Sequence, residues 1–200
     1  MSNFVRQYPN SLDDQLCDDL INWFESSESD TAKTVTANRE TRKDVQKWLM
    51  MIPADVAFGE WPSTAASLAK SMEIAKKSMM KEYMKEFPIA YRGKRILTSS
   101  ANKIQKTEPF GGGFHNFHAE VSHHENMDRC MGWTFYLNDI PEGEGETEFL
   151  YEKLRVQPQK GLGLMFPAGW TFQHRGNPVH TINKYIATGW WHYPAEKGYY

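Results

Sequence analysis

A change of hydrophobic period near residue 95 limits the folds open to this chain. From Ile96 onward, short runs of β-branched and aromatic residues alternate with turn clusters such as EPFGGG, NDIPEGEGE and RGNP. These runs predict strands over 96–106, 114–121, 132–137, 146–151, 161–166 and 184–192. Short strands with such punctuation are typical of a closed or double-sheet β architecture.

Two amphipathic helices precede these strands. Apolar residues spaced by four from Leu12 to Phe24 predict a helix over about 12–25, with an N-cap at Asn10–Ser11. A three-and-four spacing of apolar residues predicts a second helix over about 63–86. Residues 1–10 predict an edge strand.

Helices followed by strands on one shared core indicate an α+β, mainly β fold. A length of 200 residues fits one domain. We expect a helical support region over 1–95 and a β core over 96–193. The polar segment 26–42 is either a solvated connector or a mobile flap.

The charge balance does not indicate a polyanionic partner. Charged residues make up 24% of the chain and the formal net charge is −2, which gives no support for nucleic-acid or membrane-surface binding. Cys17 and Cys130 form no disulfide framework, which favours a reducing compartment. Because MSNFVRQYPN lacks the apolar core of a signal peptide, we expect a cytoplasmic protein.

A potential metal-binding pair follows a glycine turn in GGGFHNFHAE. His118 and Glu120 are two residues apart, so in a strand their side chains would share a face. Together they would supply two-thirds of a two-His, one-carboxylate iron site. His123 and Glu125 have the same spacing, but they lie in the polar stretch SHHENMD, which reads as a loop. Sequence context favours the first pair.

The third ligand has three candidates in the sequence, His174, His180 and His192. His174 lies between two turns, a natural position at the mouth of a β barrel. Lys184 opens the last strand, where alternation places it on one face with Ile186, Thr188 and Trp190. If that face is inward, Lys184 needs an anion; the alternative is a solvated lysine.

The region from Lys103 to Tyr193 resembles the iron(II)- and 2-oxoglutarate-dependent dioxygenases, especially small prolyl 4-hydroxylase-like members from microbes and phages. The matching pieces, in order, are IQK, GGGFHNFHAE, GWTFYLND, GEGETEFLY, GLGLMFPAGW, HRGNP and KYIATGWW. The resemblance implies a double-stranded β-helix, a jelly roll of the cupin-like kind, buttressed by the N-terminal helices.

The resemblance also implies the site residues. His118, Glu120 and His174 fall on the iron ligands. Lys184, ten residues after His174, falls on the residue that grips the far carboxylate of 2-oxoglutarate.

Several further roles rest on the same resemblance. Thr188 and Trp190 would line the barrel beside the co-substrate, and Arg175 would hold a substrate carbonyl or carboxylate. His115 stands where the group usually carries Tyr, so it either contacts 2-oxoglutarate or substrate, or packs. Glu120 departs from the commoner Asp.

The implied reaction uses iron(II), 2-oxoglutarate and O2, with ascorbate as an accessory reductant, and releases succinate and CO2. The resemblance favours a proline side chain in a peptide or protein as substrate. Segment 26–42 and the acidic loop 139–147 are candidates to cover such a peptide. The alternatives are a free amino acid or other small molecule, or a non-catalytic jelly-roll binding module. The sequence does not indicate an oligomeric state.

Overall fold

The structure, a computed structural model, describes residues 4–26, 34–35, 43–50, 63–88 and 97–193, which contain ten strands, two α-helices and two short 3₁₀ helices. The helices are α1 (Asp14–Glu25) and α2 (Ser63–Glu86). The strands are β1 (Arg6–Tyr8), β2 (Thr34–Val35), β3 (Val45–Met50), β4 (Thr98–Thr107), β5 (Arg129–Tyr136), β6 (Thr147–Phe149), β7 (Leu154–Val156), β8 (Gly163–Pro167), β9 (His174–Gly176) and β10 (Lys184–His192).

The strands form two antiparallel sheets. The large sheet has seven strands in the order β1-β8-β5-β10-β4-β3-β2. The small sheet has three, in the order β7-β6-β9. A cluster that includes Tyr136, Phe149, Leu164 and Phe166 packs residues of both sheets together.

The two helices cover the other face of the large sheet. Leu20 of α1 and Met72 of α2 share a buried cluster with Trp133, Ala187 and Trp191. Because strand side chains alternate, the neighbours of these sheet residues face the opposite way, toward the small sheet. This alternation leaves Thr134 of β5 and Lys184, Ile186, Thr188 and Trp190 of β10 on a cavity wall.

Both helices occur where the sequence predicts them. The N-cap of α1 is Asp13, whose carboxylate accepts the Leu16 N–H at 2.7 Å, and not Asn10–Ser11. Asn10 has a positive φ of 56°, and the Ser11 hydroxyl donates to Tyr8 O, so both belong to the preceding turn. β1 confirms the predicted edge strand by pairing with β8.

Most predicted strands occur with shifted ends, and one prediction is wrong. Residues 114–121 do not form a regular strand; they make a single antiparallel bridge, between His118 and His174. The short strands β7 and β9 were not predicted. Of segment 26–42, only Ser26 and β2 lie within the described residues, so the choice between a solvated connector and a mobile flap falls outside them. No helix in the described ranges is long and apolar enough to cross a bilayer.

Candidate metal centre

The segment that carries His118 runs beside β9 with a two-residue bulge. His118 N–H donates to His174 O at 3.0 Å, and His174 N–H donates to His118 O at 2.9 Å. Regular antiparallel pairing from this bridge would set Asn116 opposite Gly176. Gly176 N–H instead donates to Phe114 O at 3.3 Å, so the intervening residues project out of the ladder.

The bulge removes the ladder hydrogen bonds of two carbonyl oxygens, and each accepts a hydrogen bond from a histidine ring instead. Asn116 O accepts from His118 Nδ1 at 3.1 Å. Gly176 O accepts from His115 Nδ1 at 2.8 Å, in place of the ladder N–H that the bulge removes. Gly113 precedes this segment at a φ of +117°, and a Cβ there would lie 2.6 Å from His115 Cε1. His115 therefore braces the bulge.

Both histidines of the bridge present the same ring nitrogen outward. His174 Nδ1 contacts Phe172 O at 3.0 Å, the same backbone pattern two residues back that His118 has. A carbonyl only accepts hydrogen bonds, so Nδ1 carries a proton in both rings and Nε2 is the nitrogen that faces the cluster. Phe149 and Phe166 pack on the His174 ring, with centroids 5.4 Å and 4.5 Å away. Both rings are thus fixed as ligands require.

Glu120 completes a cluster with the two histidines. Its Oε1 lies 3.3 Å from His174 Nε2, and one ligand atom from each of His118, Glu120 and His174 lies within 4.8 Å of the others. Burial alone would raise the pKa of the Glu120 carboxyl. The contact with His174, followed by the nearby His118 and Lys103, outweighs burial and holds this pKa below its ordinary value. The carboxylate is therefore ionised at neutral pH.

The remaining candidate ligands lie elsewhere. His123 caps a short 3₁₀ helix, His124–Asn126, and Glu125 is exposed on that turn. His180 is exposed, and its backbone N–H donates to Glu144. The His192 Nδ1 contacts Asp128 Oδ2 at 2.8 Å. Among the described residues, only His118, Glu120 and His174 form a group of three potential metal ligands.

Lys184 enters the same cavity from β10. It is 6% exposed, and its ammonium donates to Gly145 O at 2.5 Å and lies 5.7 Å from the Tyr136 ring centroid. Burial lowers the pKa of Lys184 to about 8, against an opposing influence of the Glu146 carboxylate. Among the described residues no carboxylate forms an ion pair with this ammonium. An unpaired buried ammonium is costly, so this position suits an anionic ligand.

The cavity has a volume of about 500 Å³ and is lined by the ligand cluster, Lys184, Thr188, Trp190 and Arg175. Arg175 is also held in place, because its Nη2 donates to Glu148 Oε2 at 2.8 Å and its guanidinium lies 4.5 Å from the Phe117 ring centroid. His115 is not among the lining residues. The structure therefore brings together every predicted site residue except His115.

Sequence reasoning missed Lys103 and Arg129, which also line the cavity. Lys103 shares a strand face with Gln105 and Thr107, and all three point into the cavity. The sequence did contain an indication for Lys103, because polar residues occur at alternate positions of this strand in a chain rich in aromatic residues. Arg129 begins β5 and showed no comparable pattern.

These features have a match among known families. Residues 103–192 match the model of the 2OG-Fe(II) oxygenase superfamily. The matched region, 90 of the 200 residues, is therefore similar to this superfamily and contains His118, Glu120, His174 and Lys184. The match supports a 2-oxoglutarate-dependent dioxygenase, and the family implies iron(II), 2-oxoglutarate and O2. No curated protein sequence matches the chain.

Solved structures of prolyl hydroxylases share the fold. The viral collagen prolyl hydroxylase of Paramecium Bursaria Chlorella virus-1, in its 2OG complex, is 18% identical with a TM-score of 0.67, covering 95% of this chain and 96% of that one. A Pseudomonas putida prolyl-4-hydroxylase is 16% identical with a TM-score of 0.67, covering 97% and 95%. A Trichoplax adhaerens prolyl hydroxylase, in complex with a hypoxia inducible factor peptide fragment, is 16% identical with a TM-score of 0.70, covering 96% and 84%. The predicted double-stranded β-helix with supporting helices is confirmed.

Proposed function

We propose that this oxygenase hydroxylates a side chain of a peptide or protein, with proline as the first candidate, and releases succinate and CO2. The observation that carries the proposal is one cavity that contains both a cluster of potential metal ligands and a buried lysine. Two imidazoles and a carboxylate converge within 4.8 Å on its wall, and a buried lysine enters from β10.

The donor set fits iron(II). Two imidazoles that each direct Nε2 toward the cluster and one carboxylate are the two-His, one-carboxylate combination of non-haem iron oxygenases. His118, Glu120 and His174 would hold the metal. The chemistry that bound iron(II) supplies is oxidative decarboxylation of 2-oxoglutarate coupled to hydroxylation of a substrate C–H bond.

Lys184 would bind the far carboxylate of 2-oxoglutarate. Its ammonium is buried and has a backbone carbonyl as its hydrogen-bond partner, so a carboxylate would relieve the cost of burying the charge. Thr188 lies on the same wall, and its hydroxyl donates to Trp133 O at 2.7 Å. Thr188 would line the barrel beside the bound co-substrate. Ascorbate would serve as an accessory reductant.

Peptide binding is supported by the relatives with the same fold, which are prolyl hydroxylases by name. Arg175 would contact a substrate carbonyl at the cavity wall, with its guanidinium preset by Glu148 and Phe117. The acidic loop 139–147 is held in place by Glu144, whose Oε1 accepts a hydrogen bond from the Thr181 hydroxyl at 2.6 Å.

The free thiols Cys17 and Cys130 support a reducing, cytoplasmic setting.

A small polar substrate is the second candidate. Asp44 and Gln46 of the β3 region and Gln105 of β4 line the cavity, and each is at most 8% exposed. Polar side chains at this depth suit a ligand with several hydrogen-bonding groups, such as a free amino acid.

One experiment separates the two substrates. Purified protein with iron(II), 2-oxoglutarate and ascorbate is offered proline-containing peptides of varied flanking sequence and, in parallel, free amino acids. Succinate release and the gain of one oxygen atom are measured by mass spectrometry, with His174→Ala as the inactive control. Peptide hydroxylation supports the first proposal; turnover restricted to free amino acids supports the second. Succinate formation with neither class would refute both substrates.

A further inference from the structure

The two carboxylate oxygens of Glu120 have different partners. Oε1 faces the histidines, 3.3 Å from His174 Nε2. Oε2 accepts a hydrogen bond from the indole Nε1–H of Trp190 at 2.5 Å. One oxygen is therefore directed at the potential metal position while the other is tethered to the barrel wall.

The indole that holds Oε2 is itself held by two cations. The Arg129 guanidinium lies 3.6 Å from the Trp190 ring centroid, and the Lys103 ammonium lies 4.6 Å from it. The two cations come from β5 and β4, the strands on either side of β10 in the sheet. Cation–π contacts of this kind, partly shielded from water, attract the ring and restrict its orientation.

Arg129 also secures the backbone of the ligand. Its Nη1 donates to the Glu120 carbonyl oxygen at 3.1 Å and lies 4.0 Å from Oε2. Glu120 is outside the regular strands, so its backbone lacks the ladder that would otherwise fix its direction. The guanidinium thus contacts the main chain of Glu120 and the ring that binds its side chain.

We propose that Trp190 is a positioning residue that makes Glu120 a one-oxygen metal ligand, with Arg129 and Lys103 holding the indole in place. This inference rests on the proposed iron site. It assigns Trp190 to the metal ligand and not directly to 2-oxoglutarate. The longer Glu side chain, with one more rotatable bond than Asp, needs such a tether, because a free carboxylate would rotate or offer both oxygens.

The direct test is metal affinity in Trp190→Phe. Phenylalanine keeps an aromatic ring for the two cations and removes only the N–H donor. Loss of a partner that orients a metal ligand typically weakens affinity about 10–100-fold. We expect that loss in a titration of the apo-protein with Co(II), followed by its visible absorption without 2-oxoglutarate or oxygen, together with an altered Co(II) spectrum.

Trp191→Phe is the matched control. Trp191 is the next residue of β10, is 2% exposed, and its Nε1 has no hydrogen-bond partner in the described part of the chain. Its replacement removes an indole N–H on the helix side of the sheet, so Co(II) affinity should stay within about twofold of the wild type. Thermal melts of both variants report folding.

A double-mutant cycle with Glu120→Asp separates positioning from packing. The shorter Asp is not expected to reach both the metal position and the indole, so Trp190→Phe should weaken Co(II) binding less in that background. If the wild type binds Co(II) and Trp190→Phe binds it with the same affinity, the inference is overturned and the iron site stands. Strictly additive losses of Co(II) affinity in the cycle would have the same consequence. Failure of the wild type to bind Co(II) would overturn the proposed function itself.

A measurement on the folded wild type covers the case in which Trp190→Phe does not fold. In ¹H–¹⁵N spectra, the Trp190 indole N–H should be shifted downfield and protected from solvent exchange. Glu120→Gln, which weakens the acceptor, should move that one indole resonance far more than the others. Equal, small shifts of all indole resonances would refute the hydrogen bond.

Discussion

Replacing Lys184 by methionine should stabilise the protein when 2-oxoglutarate is absent. The folded protein buries this ammonium with a backbone carbonyl as its hydrogen-bond partner. Its pKa falls from 10.5 to about 8, mainly because of burial. At about 1.4 kcal/mol for each pH unit, the fall corresponds to a cost of roughly 3 kcal/mol at neutral pH. Methionine has a similar length and carries no charge, so it removes most of that cost.

The pH dependence provides the sharper test. The pKa of Lys184 is lower in the folded than in the unfolded chain, so the unfolded chain binds more protons between about pH 8 and 10.5. Wild-type stability therefore gains a contribution as pH rises through this window. The advantage of Lys184→Met is full below about pH 8 and vanishes toward pH 10.5. Other groups titrate equally in both proteins and cancel in the difference.

Urea unfolding of the metal-free proteins, from neutral pH to about pH 10, measures this difference. Lys85→Met replaces a lysine that is 62% exposed and serves as the control. Its stability difference from the wild type should stay within about 0.5 kcal/mol and show no such slope. Parallel pH profiles for Lys184→Met and the wild type, or a less stable variant at neutral pH, would refute the reasoning.

Three further predictions follow from the same contacts. Lys184→Ala should raise the 2-oxoglutarate requirement steeply while Co(II) affinity persists, measured by succinate release and absorption titration; equal loss of both would make Lys184 structural. Gly113→Ala places a Cβ 2.6 Å from His115 Cε1 at a residue with a positive φ. The substitution should therefore lower the free energy of unfolding by more than about 1 kcal/mol and weaken Co(II) binding. Unchanged thermal melts would contradict the bracing role of His115. Asp13→Ala removes the N-cap of α1 and should cost about 1 kcal/mol in urea unfolding without altering Co(II) affinity.

Local pattern sufficed for β10. The alternation of KYIATGWW placed Lys184, Ile186, Thr188 and Trp190 on one face, and all four line the cavity. Which face was inward depended on the helices that cover the other side through Ala187 and Trp191. Alternation alone cannot supply that information, because both faces of β10 carry large apolar residues.

The His118 segment was predicted for the wrong structural reason. Strand alternation brought His118 and Glu120 together in the sequence argument, but the chain bulges there and has only one bridge. The bulge depends on Gly176 and His115, which are 61 residues apart in sequence. Such a contact is set by tertiary pairing with β9, itself a strand of three residues that no periodicity reveals.

For a similar reason, the sequence could not predict that the two carboxylate oxygens of Glu120 have different partners. Trp190 and Glu120 are 70 residues apart, and the cations on the indole come from two other strands. Each residue has an ordinary alternative role as a core aromatic or a surface cation. Only the sheet order, with β10 between β4 and β5, brings them to one point.

The most direct test of the iron and 2-oxoglutarate site is the visible charge-transfer band of the anaerobic protein with iron(II) and 2-oxoglutarate. We predict that the band appears in the wild type, is absent in His174→Ala, and decays with succinate release when oxygen is admitted. A wild type with neither band nor succinate, or a His174→Ala variant that retains both, would contradict the assignment of His118, Glu120 and His174 as the metal ligands of a 2-oxoglutarate oxygenase.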